Sequence, residues 1–94
     1  MEARGSVAGR RDRPRIRFYG LSTCVWCRRT RQFLEDEGIP FDYVYVDLLD
    51  DDQREEVMEE VRRWNPSESF PTLVLEGRCI VGYRPEEIKE ALRP

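Results

Sequence analysis

The stretch Ser22-Thr23-Cys24-Val25-Trp26-Cys27-Arg28-Arg29-Thr30 holds two cysteines three residues apart, with two arginines directly behind them. From Cys24 onward, Cys27, Thr30, Phe33 and Leu34 recur at helical spacing, while Arg28, Arg29, Arg31, Glu35 and Asp36 fill the other face. Gly38 and Pro40 supply a stop, so the spacing predicts a helix that begins at Cys24 or Val25. Just before it, Arg15 to Tyr19 is short, rich in branched and aromatic residues and closed by Gly20, which predicts a strand. Cys24 therefore stands where a loop meets a helix, among free backbone N–H groups whose dipole favours a thiolate over a thiol. Arg28 and Arg29 add positive charge within a turn. Cys27 stacks one turn above Cys24, on the face shared with Thr30 and Leu34, within reach to resolve a mixed disulfide. These residues assign Cys24 as the exposed nucleophile and Cys27 as the shielded, resolving thiol.

Working outward, Phe41 to Asp47 alternates aromatic and branched residues and predicts a second strand, buried on both faces. Asp50-Asp51-Asp52-Gln53 suits the N-terminus of a second helix, whose apolar stripe is Val57, Met58, Val61 and Trp64 and whose end is Asn65-Pro66. Pro71 opens the run Thr72 to Leu75, Glu76-Gly77-Arg78 turns, and Cys79-Ile80-Val81 returns, which makes a hairpin. A proline at such a place is a candidate for the cis isomer, with the Phe70 backbone left open to pair with an extended peptide. Pro85 fits the first position of a last helix that turns Ile88, Ala91 and Leu92 inward. The order βαβαββα predicts an α/β fold with one four-stranded mixed sheet flanked by helices, the first strand central. A Cys-x-x-Cys at the head of a helix within a βαβ unit reads as the redox turn of a thioredoxin fold.

Composition narrows the alternatives. With 94 residues the chain supports one small domain. Its only cysteines are Cys24, Cys27 and Cys79 and it has no histidine, which argues against both a disulfide framework and a four-ligand zinc site. No metal site is expected, although an iron-sulfur cluster shared between two chains stays open as a non-enzymatic alternative. Cys79, beside Ile80 and Val81, is expected to pack as a small hydrophobe. The acids from Asp50 to Glu60 lack the glycine and spacing of a calcium loop and read as a solvated helix face. No apolar run approaches the roughly 18 residues of a membrane span, and the arginine-rich start lacks the apolar stretch of a secretory signal, so a cytoplasmic protein is expected. Residues 1–17 carry six arginines against Glu2 and Asp12, together with Gly5, Ser6 and Gly9. The expectation is a disordered basic tail over 1–13, not a nucleic-acid arm, and a folded domain over 14–94.

With Cys24-Val25-Trp26-Cys27, Ser69-Phe70-Pro71 and Gly82 before the last helix, the chain resembles the glutaredoxins from about Arg15 to Leu92. That resemblance implies a thiol-disulfide oxidoreductase acting as a monomer, with no tightly bound cofactor and with glutathione as co-substrate. Cys24 would form the mixed disulfide with glutathione or a protein, and Cys27 would complete the dithiol route. Thr23, Trp26, Phe70, Pro71, Gly82 and Tyr83 would contact the substrate or glutathione, Phe70 through its backbone. Two positions depart from the family pattern. Leu21 stands where dithiol glutaredoxins commonly have a lysine, and Arg84 stands where an aspartate would accept a hydrogen bond from the glutathione ammonium. Gly82-Tyr83-Arg84-Pro85 is more similar to the redoxins that serve ribonucleotide reductase and draw electrons from a thioredoxin reductase. A thioredoxin-reductase-dependent electron donor with weak glutathione binding is thus the second implied reading.

Overall fold

In chain order the elements are β1 (Arg4–Val7), β2 (Ile16–Gly20), α1 (Val25–Asp36), β3 (Phe41–Tyr45), a 3-10 turn (Val46–Leu48), α2 (Asp51–Trp64), β4 (Thr72–Leu75), β5 (Arg78–Val81) and α3 (Pro85–Leu92). They are seen in a computed structural model that describes residues 2–10 and 15–93. The sheet order is β1-β3-β2-β4-β5, with β2 parallel to β3 and every other pairing antiparallel. The expected central strand is therefore β2, and the fold is the α/β thioredoxin-like one.

Alternation along the strands divides the core into two layers. Phe18 and Leu73 are opposite one another and join Ile16, Leu34, Phe41, Leu75, Ile80 and Ile88 beneath α1 and α3. Tyr19 and Val74 face the other way and pack with Val46, Leu49, Val57 and Val61 beneath α2. Helix boundaries follow from caps. Asp50 accepts the Gln53 N–H at 2.8 Å and starts α2, while Pro85 takes the first position of α3, where its missing N–H goes unneeded. Glu76 and Gly77 both have positive φ, 44° and 77°, which gives the two-residue turn whose twist matches the β4–β5 hairpin.

Expectations for two segments are corrected. The sheet has five strands instead of four, because residues 4–7 of the supposed tail pair antiparallel with β3, Arg4 opposite Val44 through Val7 opposite Phe41. The small and polar residues that suggested disorder serve close approach: a Cβ at Gly5 would lie 2.7 Å from the Tyr43 hydroxyl, and Ser6 donates to Asp42 at 2.6 Å. Arg10 N–H donates to the Gly38 carbonyl at 2.7 Å, which ties the segment to the loop after α1. Residues 11–13 of the expected tail, and the boundary at 14, lie outside the described residues. The second strand is also shorter than expected. It stops at Tyr45, and Val46 to Leu48 coil into a 3-10 turn that takes Asp47 out of the strand. Nor is that strand buried throughout, since Asp42, Tyr43 and Val44 are half-buried.

Candidate active site

The sequence places β2, β4 and β5 so that one rim of the sheet collects all the candidate residues. Thr23, Cys24, Trp26 and Cys27 follow the carboxyl end of β2, Phe70 and Pro71 precede the antiparallel β4, and Gly82 and Tyr83 follow β5. Gly82 N–H donates to the Pro71 carbonyl at 2.9 Å, and the Tyr83 ring stacks on Trp26 with centroids 5.9 Å apart and planes 24° from parallel. The Phe70-Pro71 peptide bond is cis. Among the described residues neither the N–H nor the carbonyl of Phe70 has a hydrogen-bond partner. Thr23 is exposed in the loop.

Cys24 is the N-cap of α1. Its backbone is extended, and its Sγ accepts the Cys27 N–H at 3.1 Å, so the sulfur sits on the unsatisfied donors that open the helix. The cap is half-buried, whereas Cys27 is 1% exposed and belongs to the core under α1. Burial first of all, and then the hydrogen bond to Cys24, push the Cys27 thiol up to about 12. Gly20 makes this approach possible: a Cβ there would lie 2.8 Å from the Phe18 ring and 3.3 Å from the Cβ of Cys27. Thr30, fully buried, donates to the Trp26 carbonyl at 2.8 Å and secures the first turn from below.

Cys79 is not brought to the pair. It lies on the edge strand β5 opposite Val74, on the α2 face of the sheet, and its partial burial pushes its thiol up.

Two groups escaped the sequence reading. Asp47 holds the loop in front of Cys24, accepting the Ser22 N–H at 2.8 Å and the Ser22 hydroxyl. Desolvation pushes the Asp47 carboxyl up, but the Ser22 hydrogen bonds, the group's own backbone N–H and the charge of Arg54 together hold it below its ordinary value. As the expected end of a strand, Asp47 gave no signal of this. The second group lines a cleft of about 540 Å³ between α1 and β3 that opens on Cys24 and includes Arg28, Arg31, Tyr43 and Tyr45. The Arg31 guanidinium lies 4.4 Å from the Tyr43 ring centroid and donates to the Tyr45 hydroxyl at 2.9 Å. The sequence already marks Arg28 as positive charge within a turn of Cys24; Arg31, set on the other face, stands seven residues beyond Cys24, a helical periodicity that could have placed it here.

Among the described residues, no cluster of three or more His, Cys, Asp or Glu side chains could hold a metal ion. No helix there is long and apolar enough to cross a membrane.

Comparison with known proteins agrees with this geometry. The family model described as Glutaredoxin matches residues 16–80. An uncharacterized glutaredoxin-like 8.6 kDa protein in the rubredoxin operon of Clostridium pasteurianum is 31% identical over 77 residues, which are 82% of this chain and 96% of that protein. The crystal structure of a glutaredoxin from Methanosarcina mazei superposes with a TM-score of 0.88 at 50% identity, covering 97% of this chain and 88% of the other. The glutaredoxin-like NrdH-redoxin of Escherichia coli, described as having a thioredoxin-like activity profile, superposes with a TM-score of 0.69 at 27% identity, covering 86% and 97%.

Proposed function

This chain belongs to the glutaredoxin family, and from that premise we propose that it is a thiol-disulfide oxidoreductase that reduces protein or glutathione mixed disulfides through Cys24 and Cys27. The observation that carries the reading is the sulfur cap, Cys24 Sγ on the Cys27 N–H at the head of α1, with Cys27 buried beneath it. The Cys24 thiolate attacks one sulfur of the substrate disulfide, a Cys24–substrate disulfide forms, and the other substrate sulfur leaves as a thiolate. Cys27 then gives up its proton and attacks Cys24 Sγ. The second substrate thiol departs, a Cys24–Cys27 disulfide remains, and two electrons have passed to the substrate. The order of events is favoured by charge. Both the hydrogen bond to Cys24 and the Cys24 charge help hold the Cys27 proton, and both are lost once Cys24 is in a mixed disulfide.

Trp26 and Tyr83 offer the substrate an apolar stack, the Phe70 backbone offers it a donor and an acceptor, and Thr23, Pro71 and Gly82 shape the walls between them. The cycle needs no tightly bound cofactor. Its partners are disulfide-containing proteins and a reductant, and its setting is a reducing cytoplasm, where thiols persist.

Glutathione is the proposed reductant. A thioredoxin reductase is the second reading, favoured by two positions on the rim. Leu21 is packed against the α2-side core and supplies no cation for a carboxylate, and the Arg84 guanidinium donates to the Val81 carbonyl at 2.8 Å where an acceptor would be needed. The test oxidises the protein, then supplies either glutathione or thioredoxin reductase with NADPH and follows free thiols by alkylation and mass spectrometry. Reduction by glutathione supports the first reading, and reduction by thioredoxin reductase alone replaces it with the second.

A further inference from the structure

The three helices are charged in opposite senses. α2 begins with Asp51 and Asp52 and ends with Arg62 and Arg63, and α3 begins with Glu86 and Glu87 and has Lys89 in its last turn. That is the order the helix dipole favours. α1 has no acid in its first turn and no base in its last; Arg28 and Arg29 stand near its start and Glu35 and Asp36 at its end. This order opposes the dipole, so its reason lies outside the helix.

The arginines beside Cys24 are also unpaired. Arg15, Arg17, Arg31, Arg54, Arg62 and Arg93 each have a carboxylate within 4.0 Å, whereas among the described residues Arg28, Arg29 and Arg84, like Arg4, Arg10, Arg63 and Arg78 elsewhere, have none. Arg29 lies 5.0 Å from the Trp26 ring centroid, and Arg84 follows Tyr83. Asp47, whose charge bears on Cys27, is taken up by Ser22, and Glu2 lines the cleft that Arg28 also lines. Between these cations lies the exposed apolar surface of the rim: Val25 is 54% exposed, Trp26 52% and Tyr83 38%. Glu86 and Glu87 stand exposed two and three residues beyond Arg84, and Glu35 shares the cleft with Arg28, so the cations that directly flank the apolar surface are Arg29, against Trp26, and Arg84, beside Tyr83.

We infer that the target disulfide is carried on an extended, acidic segment of a partner protein. An apolar side chain of that segment lies on the Trp26–Tyr83 stack, its backbone pairs with Phe70, and its carboxylates meet Arg28, Arg29 and Arg84. This rests on the reading of Cys24 as the attacking thiol. Reduction consumes the Cys24–Cys27 dithiol and converts the segment's disulfide to two thiols, so no further reductant enters the first turnover.

Two peptides of equal length test this. Each carries one cysteine as a disulfide with 2-mercaptoethanol, beside a leucine, and is flanked by Asp and Glu in one case and by Lys in the other. Stoichiometric reduced protein should reduce the acidic peptide about tenfold faster at low salt, and screening at roughly 0.5 M NaCl should shrink the difference. Arg29→Glu with Arg84→Glu should invert the preference, and the neutral Arg29→Gln with Arg84→Gln should remove it. Serine versions of the peptides, which cannot exchange, are titrated into labelled protein by NMR, where only the acidic one should shift the Trp26 indole and Phe70 amide signals. Equal exchange rates and equal shifts for the two peptides would overturn the inference and leave the oxidoreductase intact. Selective binding of the acidic peptide without exchange of either disulfide would support the docking surface and overturn the oxidoreductase.

Discussion

The N-termini of α1 and α2 share one backbone geometry: an extended cap residue whose side chain accepts the N–H three residues on, Cys24 Sγ from Cys27 at 3.1 Å and Asp50 Oδ1 from Gln53 at 2.8 Å. The two helices part company at the next residues. Behind Asp50 come Asp51 and Asp52, which suit the helix dipole, and an exposed surface. Behind Cys24 come exposed Val25 and Trp26, buried Cys27 and two arginines that oppose the dipole. The same unsatisfied donors hold an oxygen for stability at one helix and a sulfur for reaction at the other. A cap becomes a site when its side chain can exchange bonds and its surroundings admit a partner.

Exchanging the two roles should break this contrast, beginning with the largest effect. Cys24→Ser keeps a capping atom but removes the nucleophile, so disulfide exchange should fall to the uncatalysed background while thermal stability changes by less than about 1 kcal/mol. Leu34→Ala, in the core beneath α1, should do the opposite, costing about 2–5 kcal/mol in denaturant titration. Asp50→Ala should cost about 1 kcal/mol and leave the exchange rate unchanged. Arg28→Glu should make α1 slightly more stable, by roughly 0.3–1 kcal/mol, because it corrects the charge order against the dipole.

Acidity sharpens the comparison further. In the unfolded chain a cysteine titrates near about 8.5, whereas burial holds Cys27 at about 12 in the fold. Between those values the folded state keeps a proton that the unfolded state has lost, so Cys27 favours folding fully below the window and loses that contribution as pH rises through it. Tyr19, raised by burial and by its hydrogen bond to Glu60, acts in the same direction at still higher pH. Denaturation of the reduced protein should therefore become easier above about pH 8.5, and Cys27→Ala should lessen that slope.

Much of this was legible because local chemistry and global fold agreed. Helical spacing from Cys27 to Leu34, the Gly38 and Pro40 stop, the acids before α2 and Pro85 each carry their own signal, and each marks an element of the fold. β1 carried none. Gly5 and Ser6 look like linker residues until Tyr43 and Asp42 are in place to receive them, and an edge strand needs only a free neighbouring edge. Asp47 was hidden for a similar reason. Its partner Ser22 is 25 residues away, and only the turn that ends β3 at Tyr45 lets the carboxylate reach the loop before Cys24. The Trp26–Tyr83 stack likewise joins residues far apart in sequence, although each was individually marked by its place beside the cysteines or the last helix.

The division of labour between the two cysteines is tested most directly by intact-mass and peptide mapping of the Cys27→Ser variant after exposure to glutathione disulfide. The expected result is one persistent adduct, on Cys24, because the thiol that would release it is gone. An unmodified Cys24, or an adduct on Cys79 in its place, would contradict the assignment of Cys24 as the attacking thiol.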